Sequence, residues 1–248
     1  MKIVSDSAFH EVYTGDPAAA AGRIESIVEV IEAENTLVEA VPANREDIAL
    51  IHTEVHIESV IQEGLYEIAA LAAGGALQAA IIGLSEPCFA VVRPPGHHAS
   101  ADHAWGFCYF NNMAIAIDHL RRTGKIGRAH ILDFDLHYGD GTVSILGSSG
   151  YVSIHNPRGR DRRSYLEEVA EGLDGAEADI VGVSAGFDNH AADWGGLLET
   201  EDYKAMGRMV HERCQRLGCG CFAVLEGGYN HSVLGNAVQA FLQGLEGR

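Results

Sequence analysis

The segment Ile131–Thr142, ILDFDLHYGDGT, combines the pattern of a buried strand with several ionisable side chains. Ionised carboxylates are costly to bury unless a metal ion or hydrogen-bonded partners compensate them. Asp135 and His137 are two residues apart, so in an extended backbone their side chains leave from one face, which Asp133 shares. An Asp-x-His pair joined by a distant carboxylate gives an O, N, O ligand set, which leaves one position on Zn²⁺ open for water.

A metal-activated water also needs a base and a partner for the oxyanion. Two neighbouring imidazoles, His97 and His98, follow the strand-like run CFAVVRPPG and can reach a cleft from its Pro-Gly turn. Each imidazole needs a carboxylate that fixes its tautomer, and Asp133 and Asp140 are spare acids for this purpose. Taken alone, a His-His pair is usually incidental.

Two further strand-like segments end in groups that suit the same site. DIVGVSAGFDNH carries Asp188, the natural third metal ligand, and CFAVLEGGYN ends in Gly227-Gly228-Tyr229. The glycines allow close approach of the backbone, and the Tyr229 hydroxyl can donate to a developing oxyanion. Each signal alone also fits a structural role, such as capping a loop. Four such strand ends together favour one site.

Short apolar runs alternate with helical patterns along the chain, and we find no linker or internal repeat. This alternation predicts βαβ units and a mainly parallel sheet. Ligands of such sheets bind beyond the carboxyl ends of the strands, so the polar strand ends should share one rim. A length of 248 residues suits one α/β domain as well as two small ones, and we predict a single domain over residues 1–248.

Six segments have the pattern of strands and six have the pattern of helices. The predicted strands are Lys2–Val4, Cys88–Val92, Ala129–Phe134, Gly150–Ile154, Ile180–Ser184 and Cys221–Leu225. The predicted helices are Ala18–Glu34, Ser59–Leu84, Asn112–Thr123, Tyr165–Leu173, Glu201–Leu217 and His231–Leu245.

The chain is strongly acidic, with 17 basic against 35 acidic residues and a net charge of −18. This balance argues against a nucleic-acid partner, whose binding surface would be basic. The negative field would attract cationic small molecules or basic peptides, although a role in solubility explains it equally well.

The sequence also bears on the compartment. The start MKIVSDSAFH lacks the basic residues and long apolar run of a signal peptide. The most apolar stretch, Ile68–Leu84, is too short for a membrane span and reads as a buried, Ala-rich helix. Five cysteines without disulfide-like spacing suit a reducing compartment. We expect a cytoplasmic protein without a membrane partner; a homo-oligomer stays open.

Six motifs, in this order, resemble the zinc-dependent histone deacetylase and acetylpolyamine amidohydrolase family: RPPGHHA, GFCYFNN, DFDLHYGDGT, SIH, VSAGFD and LEGGYN. The match covers roughly Val91 to Leu245 and is that of a short, class II-like bacterial or archaeal member. The resemblance implies an arginase-like, three-layer α/β/α fold with a mainly parallel central sheet. It also implies a deacetylase that hydrolyses an N-acylated amine, such as an acetylpolyamine or acetyl-lysine.

The resemblance further implies two metal sites. One zinc ion per chain would be bound by Asp135, His137 and Asp188. A structural K⁺ would be bound by Asp133, Ser153, the Ile154 carbonyl and the backbone of Asp135 and His137.

The same resemblance implies roles for the remaining matched residues. His98, supported by Asp140, would be the general base and then the acid that protonates the leaving amine, while His97, paired with Asp133, would be an electrostatic partner. Tyr229 would hydrogen-bond the substrate carbonyl and then the oxyanion. The substrate would contact Gly106, Phe107 and Gly228.

The chain departs from the family pattern between His155 and Asp188, where only about thirty residues lie. The family's Pro-Gly-Thr-Gly loop is missing there, and its tunnel-wall aromatic has no obvious counterpart. An arginine-rich segment replaces it, which suits either a solvated loop or an anion-recognising rim; its members are Arg158, Arg160, Arg162 and Arg163. We therefore expect an open cleft that favours small acylated amines.

Two alternative functions remain open on the sequence. An arginase-like ureohydrolase would need a second metal and an aspartate two residues after Asp188, where His190 stands. A non-catalytic protein that binds acylated ligands would be indicated by loss of Tyr229 or of a metal ligand, but these residues are present.

Overall fold

The computed structural model describes residues 1–175 and 177–248. Within them, seven strands form one sheet in the order β2-β1-β3-β7-β6-β4-β5, and every neighbouring pair is parallel. This confirms the predicted α/β class. The strands are β1 (Lys2–Ser5), β2 (Thr36–Glu39), β3 (Cys88–Ala90), β4 (Ala129–Asp133), β5 (Val152–His155), β6 (Ile180–Ala185) and β7 (Gly220–Leu225).

The helices fall into two groups by their mutual contacts, one on each side of the sheet. The first group is α2 (Arg45–Ala49), α3 (Glu54–Gln62), α4 (Tyr66–Gly83), α5 (Asn112–Arg122) and α6 (Asp140–Leu146). The second is α1 (Arg23–Ile31), α7 (Arg162–Asp174), α8 (Thr200–Leu217) and α9 (His231–Leu245). The result is the three-layer α/β/α architecture that the resemblance implies.

Several predicted bounds differ from those in the structure. The single helix predicted over Ser59–Leu84 is two helices, α3 and α4, because Gly64 takes a left-handed φ of +74° between them. The helix predicted over Ala18–Glu34 is α-helical only in α1, with 3₁₀ turns on both sides. The predicted strands Cys88–Val92 and Gly150–Ile154 are also shifted or shortened, to β3 and β5.

Three elements were missed by sequence reasoning. Strand β2 lies at the sheet edge and its side chains are mostly exposed, so it shows no alternating apolar pattern. Helices α2 and α6 are only five and seven residues long. Elements of that length carry too few residues for a helical period to be visible.

Helix α4 is the apolar stretch noted in the sequence. Its 18 residues are long and apolar enough to cross a membrane by length and composition alone, yet 56% of them are buried inside the protein. It contacts β1, β3 and β7. As predicted, it is a buried, Ala-rich helix.

The centre of the sheet determines where a site can form. Strands β3, β7, β6 and β4 are adjacent, and β4 and β6 are buried along their whole length. Because all four are parallel, the segments that follow them meet at one rim.

Candidate active site

Three ligand-type side chains converge at the ends of β4 and β6. Nδ1 of His137 lies 3.2 Å from Oδ1 of Asp135 and 3.1 Å from Oδ2 of Asp188. Backbone N–H groups hold the other carboxylate oxygens: Gly227 donates to Oδ2 of Asp135 at 2.8 Å, and Leu136 donates to Oδ1 of Asp188 at 3.1 Å. The two carboxylates are buried, whereas the His137 side chain is 38% exposed. These three residues, Asp135, His137 and Asp188, are called the metal triad below. The metal triad therefore faces the cleft through the His137 imidazole.

The metal triad fits a zinc ion. Two ligands about 2.1 Å from a tetrahedral ion lie roughly 3.4 Å apart, close to the 3.1 and 3.2 Å that separate His137 from the two carboxylates. Oδ2 of Asp188 is buried and receives no donor from the described residues other than Nδ1 of His137 at 3.1 Å. Burial and repulsion from Asp135 raise the pKa of Asp188 to about 6, and hydrogen bonds to both carboxylates raise the pKa of His137 to about 10. The site thus demands positive charge, as a Zn²⁺ ligand set would.

The backbone of Gly227 lies too close to the metal triad for any side chain. A Cβ atom there would lie 2.6 Å from Oδ2 of Asp135 and 2.7 Å from Oδ2 of Asp188. The fully buried Arg23 fixes this loop, donating from Nε to the Gly228 carbonyl at 2.8 Å and from a terminal nitrogen to that of Glu226. The Gly-Gly-Tyr turn is thereby held against the metal triad.

The His-His turn after β3 places two buried imidazoles beside the metal triad. Nδ1 of His98 lies 2.6 Å from Oδ1 of Asp140, and Nδ1 of His97 lies 3.1 Å from Oδ2 of Asp133. Burial and the charge of His97 lower the pKa of His98 to about 4. Burial also opposes charge on His97, but the Asp135 and Asp133 carboxylates hold its pKa well above the usual value. His98 is therefore a neutral imidazole whose Nε2 is not bonded to Asp140, and the neighbouring His97 is charged.

Glu226 is a part of the site that sequence reasoning missed. Its side chain is fully buried, and Oε2 accepts hydrogen bonds from the backbone N–H groups of Gly96 at 2.7 Å and His97 at 3.2 Å. Burial raises the pKa of Glu226 to about 7. The carboxyl group thus anchors the His-His turn from β7. An acid inside the apolar run CFAVLEGGYN was the available signal.

Tyr229 follows the Gly227-Gly228 turn that lies against the metal triad. Its ring stacks on Trp194 at 4.1 Å between centroids, and the Arg23 guanidinium lies 5.5 Å from its centroid. Its backbone N–H donates to Oδ2 of Asp193 at 2.8 Å. Among the described residues, none hydrogen-bonds the hydroxyl, so it is free to donate to a ligand. Burial, then the charge of Asp135, raises the pKa of Tyr229, which keeps the hydroxyl protonated.

Aromatic rings form the mouth of the cleft. Phe107 meets Tyr229 edge-on at 5.9 Å and Trp194 at 6.4 Å, and Trp194 also meets the His137 ring at 6.2 Å. Phe107 adopts a φ of +67°, costly for an aromatic residue, directly after Gly106 at +59°. The loop after β5 carries no aromatic residue, as the sequence suggests; Trp194, from the loop after β6, supplies that wall instead.

The residues assigned to potassium are not all brought together. In the β4–β5 register Ser153 lies opposite His130, to which it is hydrogen-bonded at 2.9 Å, and Ile154 lies opposite Ile131. Asp133 is three residues further along β4, roughly 10 Å at ~3.3 Å per residue. Its carboxylate interacts instead with His97 and with the backbone N–H of Asp135. The Ser153 hydroxyl therefore contacts His130 and does not lie beside the Asp133 carboxylate. Potassium binding stays a prediction.

Comparison with known proteins places this geometry in a family. The profile described as the histone deacetylase domain matches residues 18–165 and 154–245, and the two matches meet in the short segment after β5. A probable deacetylase of Methanothermobacter thermautotrophicus is 33% identical, over 91% of this chain and 85% of its own length. A histone deacetylase-like amidohydrolase of Pseudomonas aeruginosa is 28% identical over 93% of this chain and 79% of its own length.

Two further similarities are more partial. Acetylpolyamine amidohydrolase 2 of Pseudomonas aeruginosa is 33% identical over 64% of this chain and 56% of its own length. The crystal structure of the HDA15 HD domain superposes with a TM-score of 0.85, covering 99% of this chain and 89% of that one at 22% identity, which shows the fold alone. With the family profile spanning most of the sequence, the chain belongs to the histone deacetylase family of hydrolytic enzymes.

Proposed function

We propose that this protein is a zinc-dependent amidohydrolase that removes the acyl group from a small N-acylated amine, such as an acetylpolyamine or acetyl-lysine. The observation that carries this proposal is the convergence of three features at one rim. These are the metal triad of Asp135, His137 and Asp188, the His98–Asp140 pair at 2.6 Å, and the unpaired hydroxyl of Tyr229.

The residues divide the reaction between them. A zinc ion bound by the metal triad would supply Lewis acidity to the substrate carbonyl and to a water molecule. His98, neutral and with Nδ1 held by Asp140, takes the proton of the attacking water on Nε2 and later gives it to the leaving amine. The charged His97 and the Tyr229 hydroxyl stabilise the negative charge that develops on the substrate carbonyl oxygen.

The shape of the cleft supports small substrates. Phe107 and Trp194 offer aromatic faces to an acylated amine, but the loop after β5 is short and leaves the side next to His137 open. A small amine needs no second wall along a long stem. We expect acetylated diamines and polyamines to be cleaved at least as well as acetyl-lysine peptides. The relative named as an acetylpolyamine amidohydrolase supports the same class.

Arginase-like chemistry is disfavoured by the position where its second metal would need an aspartate. His190 stands there, and Nε2 of His190 lies 3.1 Å from the Thr200 hydroxyl while its ring stacks on Tyr203. Among the described residues, the ligand cluster found at this rim is the metal triad alone.

The test is acetate release by the zinc-loaded protein from matched acetylated diamines and acetyl-lysine peptides. Asp140→Asn serves as the control that should keep the metal and lose most activity. A zinc-loaded, folded protein that releases acyl groups from none of these amides would contradict the proposal and favour a non-catalytic, ligand-binding role.

A further inference from the structure

A cavity of about 440 Å³ lies on the open side of the metal triad. Its lining includes Asp135, His137 and the turn Arg158-Gly159-Arg160 after β5. A cavity of this size holds a small molecule. Two residues of the metal triad, Asp135 and His137, and two arginines of the arginine-rich segment, Arg158 and Arg160, therefore line the same cavity.

The guanidinium of Arg158 is held at this cavity without a carboxylate partner. It lies 4.5 Å from the centroid of the Tyr138 ring, and its backbone N–H donates to Oε2 of Glu168 at 2.6 Å. Pro157 precedes it and is buried. The Arg158 side chain is exposed and lies against the Tyr138 ring, and no acid in the described ranges forms an ion pair with it.

Arg160 is the second unpaired cation at the cavity. It is exposed, and in residues 1–175 and 177–248 no carboxylate lies within ion-pair distance of it. The other arginines of the segment differ: Arg162 makes a two-point ion pair with Asp202 at 2.8 and 2.9 Å, and Arg163 pairs with Glu167 at 2.7 Å. The segment thus splits into a neutralised half on α7 and an unpaired half at the cavity.

Among the described residues Arg158 and Arg160 have no ion-pair partner, although the chain has 35 acidic and 17 basic residues. Other arginines, such as Arg121, also lack one in the part of the chain that the structure describes, so it is the shared position of Arg158 and Arg160 at the cavity that matters. Guanidinium groups match carboxylates with two parallel hydrogen bonds. The long-range negative field of the protein is screened within about 8 Å at physiological salt, so the local charge decides what enters the cavity.

We propose that Arg158 and Arg160 form a carboxylate-binding subsite for the substrate, which rests on the proposed amidohydrolase function and adds to its substrate class acylated amines that carry a carboxylate. Free acetyl-lysine would be such a molecule, whereas an acetylpolyamine would not. The carboxylate could belong to the amine part or to the acyl part of the substrate, since the two parts are joined at the amide bond that is cleaved. The local guanidinium pair thus favours an anionic ligand, whereas the net charge of −18 suggests a cationic one.

The binding test uses glutarate and its uncharged analogue glutaramide, titrated calorimetrically into the metal-free protein. Without the metal, glutarate cannot bind to zinc, and the arginine variants then show how much of the binding depends on Arg158 and Arg160. Glutarate should bind and glutaramide should not. Arg158→Gln and Arg160→Gln should each weaken glutarate binding roughly three- to tenfold, since Arg–carboxylate bonds in a partly exposed cavity are of that order. Arg163→Gln, with the same change in charge outside the cavity, should bind as wild type does.

The turnover test uses the zinc-loaded protein and amides that share a five-carbon amine part. N-acetylpentylamine, N-acetylcadaverine and 5-acetamidopentanoate vary the charge of the amine part, and N-succinylpentylamine places a carboxylate on the acyl part. A carboxylate should raise kcat/KM at least tenfold over the neutral amide in one of the two positions, and the arginine variants should remove that gain.

The outcomes separate the two proposals. Equal binding of glutarate and glutaramide, or equal weakening by Arg163→Gln, overturns the subsite. Equal hydrolysis of all four amides overturns it too and leaves the amidohydrolase standing. Arginine-dependent glutarate binding in the metal-free protein, together with no hydrolysis of any of the four amides by the zinc-loaded protein, keeps the carboxylate site and overturns the proposed function.

Discussion

Trp105 donates its indole N–H to Oδ2 of Asp140 at 2.9 Å. The other oxygen of the same carboxylate lies 2.6 Å from Nδ1 of His98, and the indole stacks on the His98 ring at 3.8 Å between centroids. Asp140 is therefore held on both oxygens, and burial, which would raise its pKa, is outweighed by these two hydrogen bonds, which lower it. Trp105 positions the carboxylate that in turn orients the proposed base.

The first prediction concerns this contact. Trp105→Phe keeps an aromatic face against His98 but removes the N–H, so kcat should fall roughly tenfold, the order of one hydrogen bond to a charged group. Metal content and fold should not change. If Trp105 acts through Asp140, the substitution should cost little in an Asp140→Asn background, because coupled residues are not additive. The same tenfold loss in both backgrounds would show that Trp105 acts independently of Asp140.

The second prediction concerns the metal triad. Asp188→Asn should reduce bound zinc, measured by elemental analysis, to well below one per chain, because a neutral amide replaces a charged ligand. The metal-free variant should melt no lower than the metal-free wild type, since burial and the Asp135 charge already disfavour ionised Asp188. Asp140→Asn, whose carboxylate contacts His98 rather than the metal triad, should keep its zinc. Full zinc occupancy in Asp188→Asn would remove this residue from the ligand set.

The third prediction concerns Tyr229. Tyr229→Phe keeps the ring that stacks on Trp194 and removes only the hydroxyl, which no described residue hydrogen-bonds. Loss of one oxyanion donor typically costs ~10²–10³-fold in turnover, so kcat should drop by that amount with zinc content and melting temperature unchanged. Turnover within a few-fold of wild type would exclude Tyr229 from the transition state.

The sequence predicted the site well where the chain itself fixes the geometry. Asp135 and His137 are two residues apart and come together as expected, although they lie in the irregular segment just after β4 rather than in the strand itself. Asp188 and Tyr229 follow buried strands, and the parallel sheet brings those ends to the same rim. These predictions needed only the polar residues at the strand ends and the expectation of a parallel sheet.

Contacts between loops could not be predicted in this way. Trp105 and Trp194 lie in irregular segments, and which imidazole or ring each would reach depends on the path of the whole loop. The register of β4 and β5 is likewise a tertiary property: the SIH motif suggested that Ser153 would meet Asp133, and pairing placed it opposite His130. Sequence spacing constrains neighbours within an element, but not partners across two of them.

The fourth prediction concerns acid stability. His130 is buried, Nδ1 contacts the Ser153 hydroxyl, and burial, with the charges of His155 and Arg213, lowers its pKa to about 4. Its pKa in the unfolded chain is about 6.5, so below that pH the unfolded state binds a proton that the folded state refuses. The free energy of unfolding should therefore fall as the pH drops from about 6.5 towards 4, by up to ~1.4 kcal/mol per pH unit from this group.

The measurement is urea unfolding at pH 7 and pH 5. His130→Asn should be less stable than wild type at pH 7, because packing is lost, but should lose less further stability at pH 5. His103→Asn, which alters an exposed histidine, is the control and should follow the wild-type pH dependence. An equally steep loss in His130→Asn would show that this imidazole is not the group that resists protonation.

The last prediction concerns Trp194, whose ring stacks on Tyr229 and faces Phe107 across the mouth of the cleft. An aromatic pair desolvates the aliphatic stem of an acylated amine, and each fully buried methylene contributes ~0.8 kcal/mol. In a series of N-acetylalkylamines with two to six carbons, log kcat/KM should therefore rise with each carbon in the wild type. Trp194→Ala should flatten that rise, because one of the two faces is gone.

A uniform loss over the whole series would instead mean that Trp194 acts only by holding Tyr229. Val55→Ala, which removes an exposed apolar side chain elsewhere, is the control and should leave the slope unchanged. An unchanged slope in Trp194→Ala would mean that the stem does not pass between these two rings.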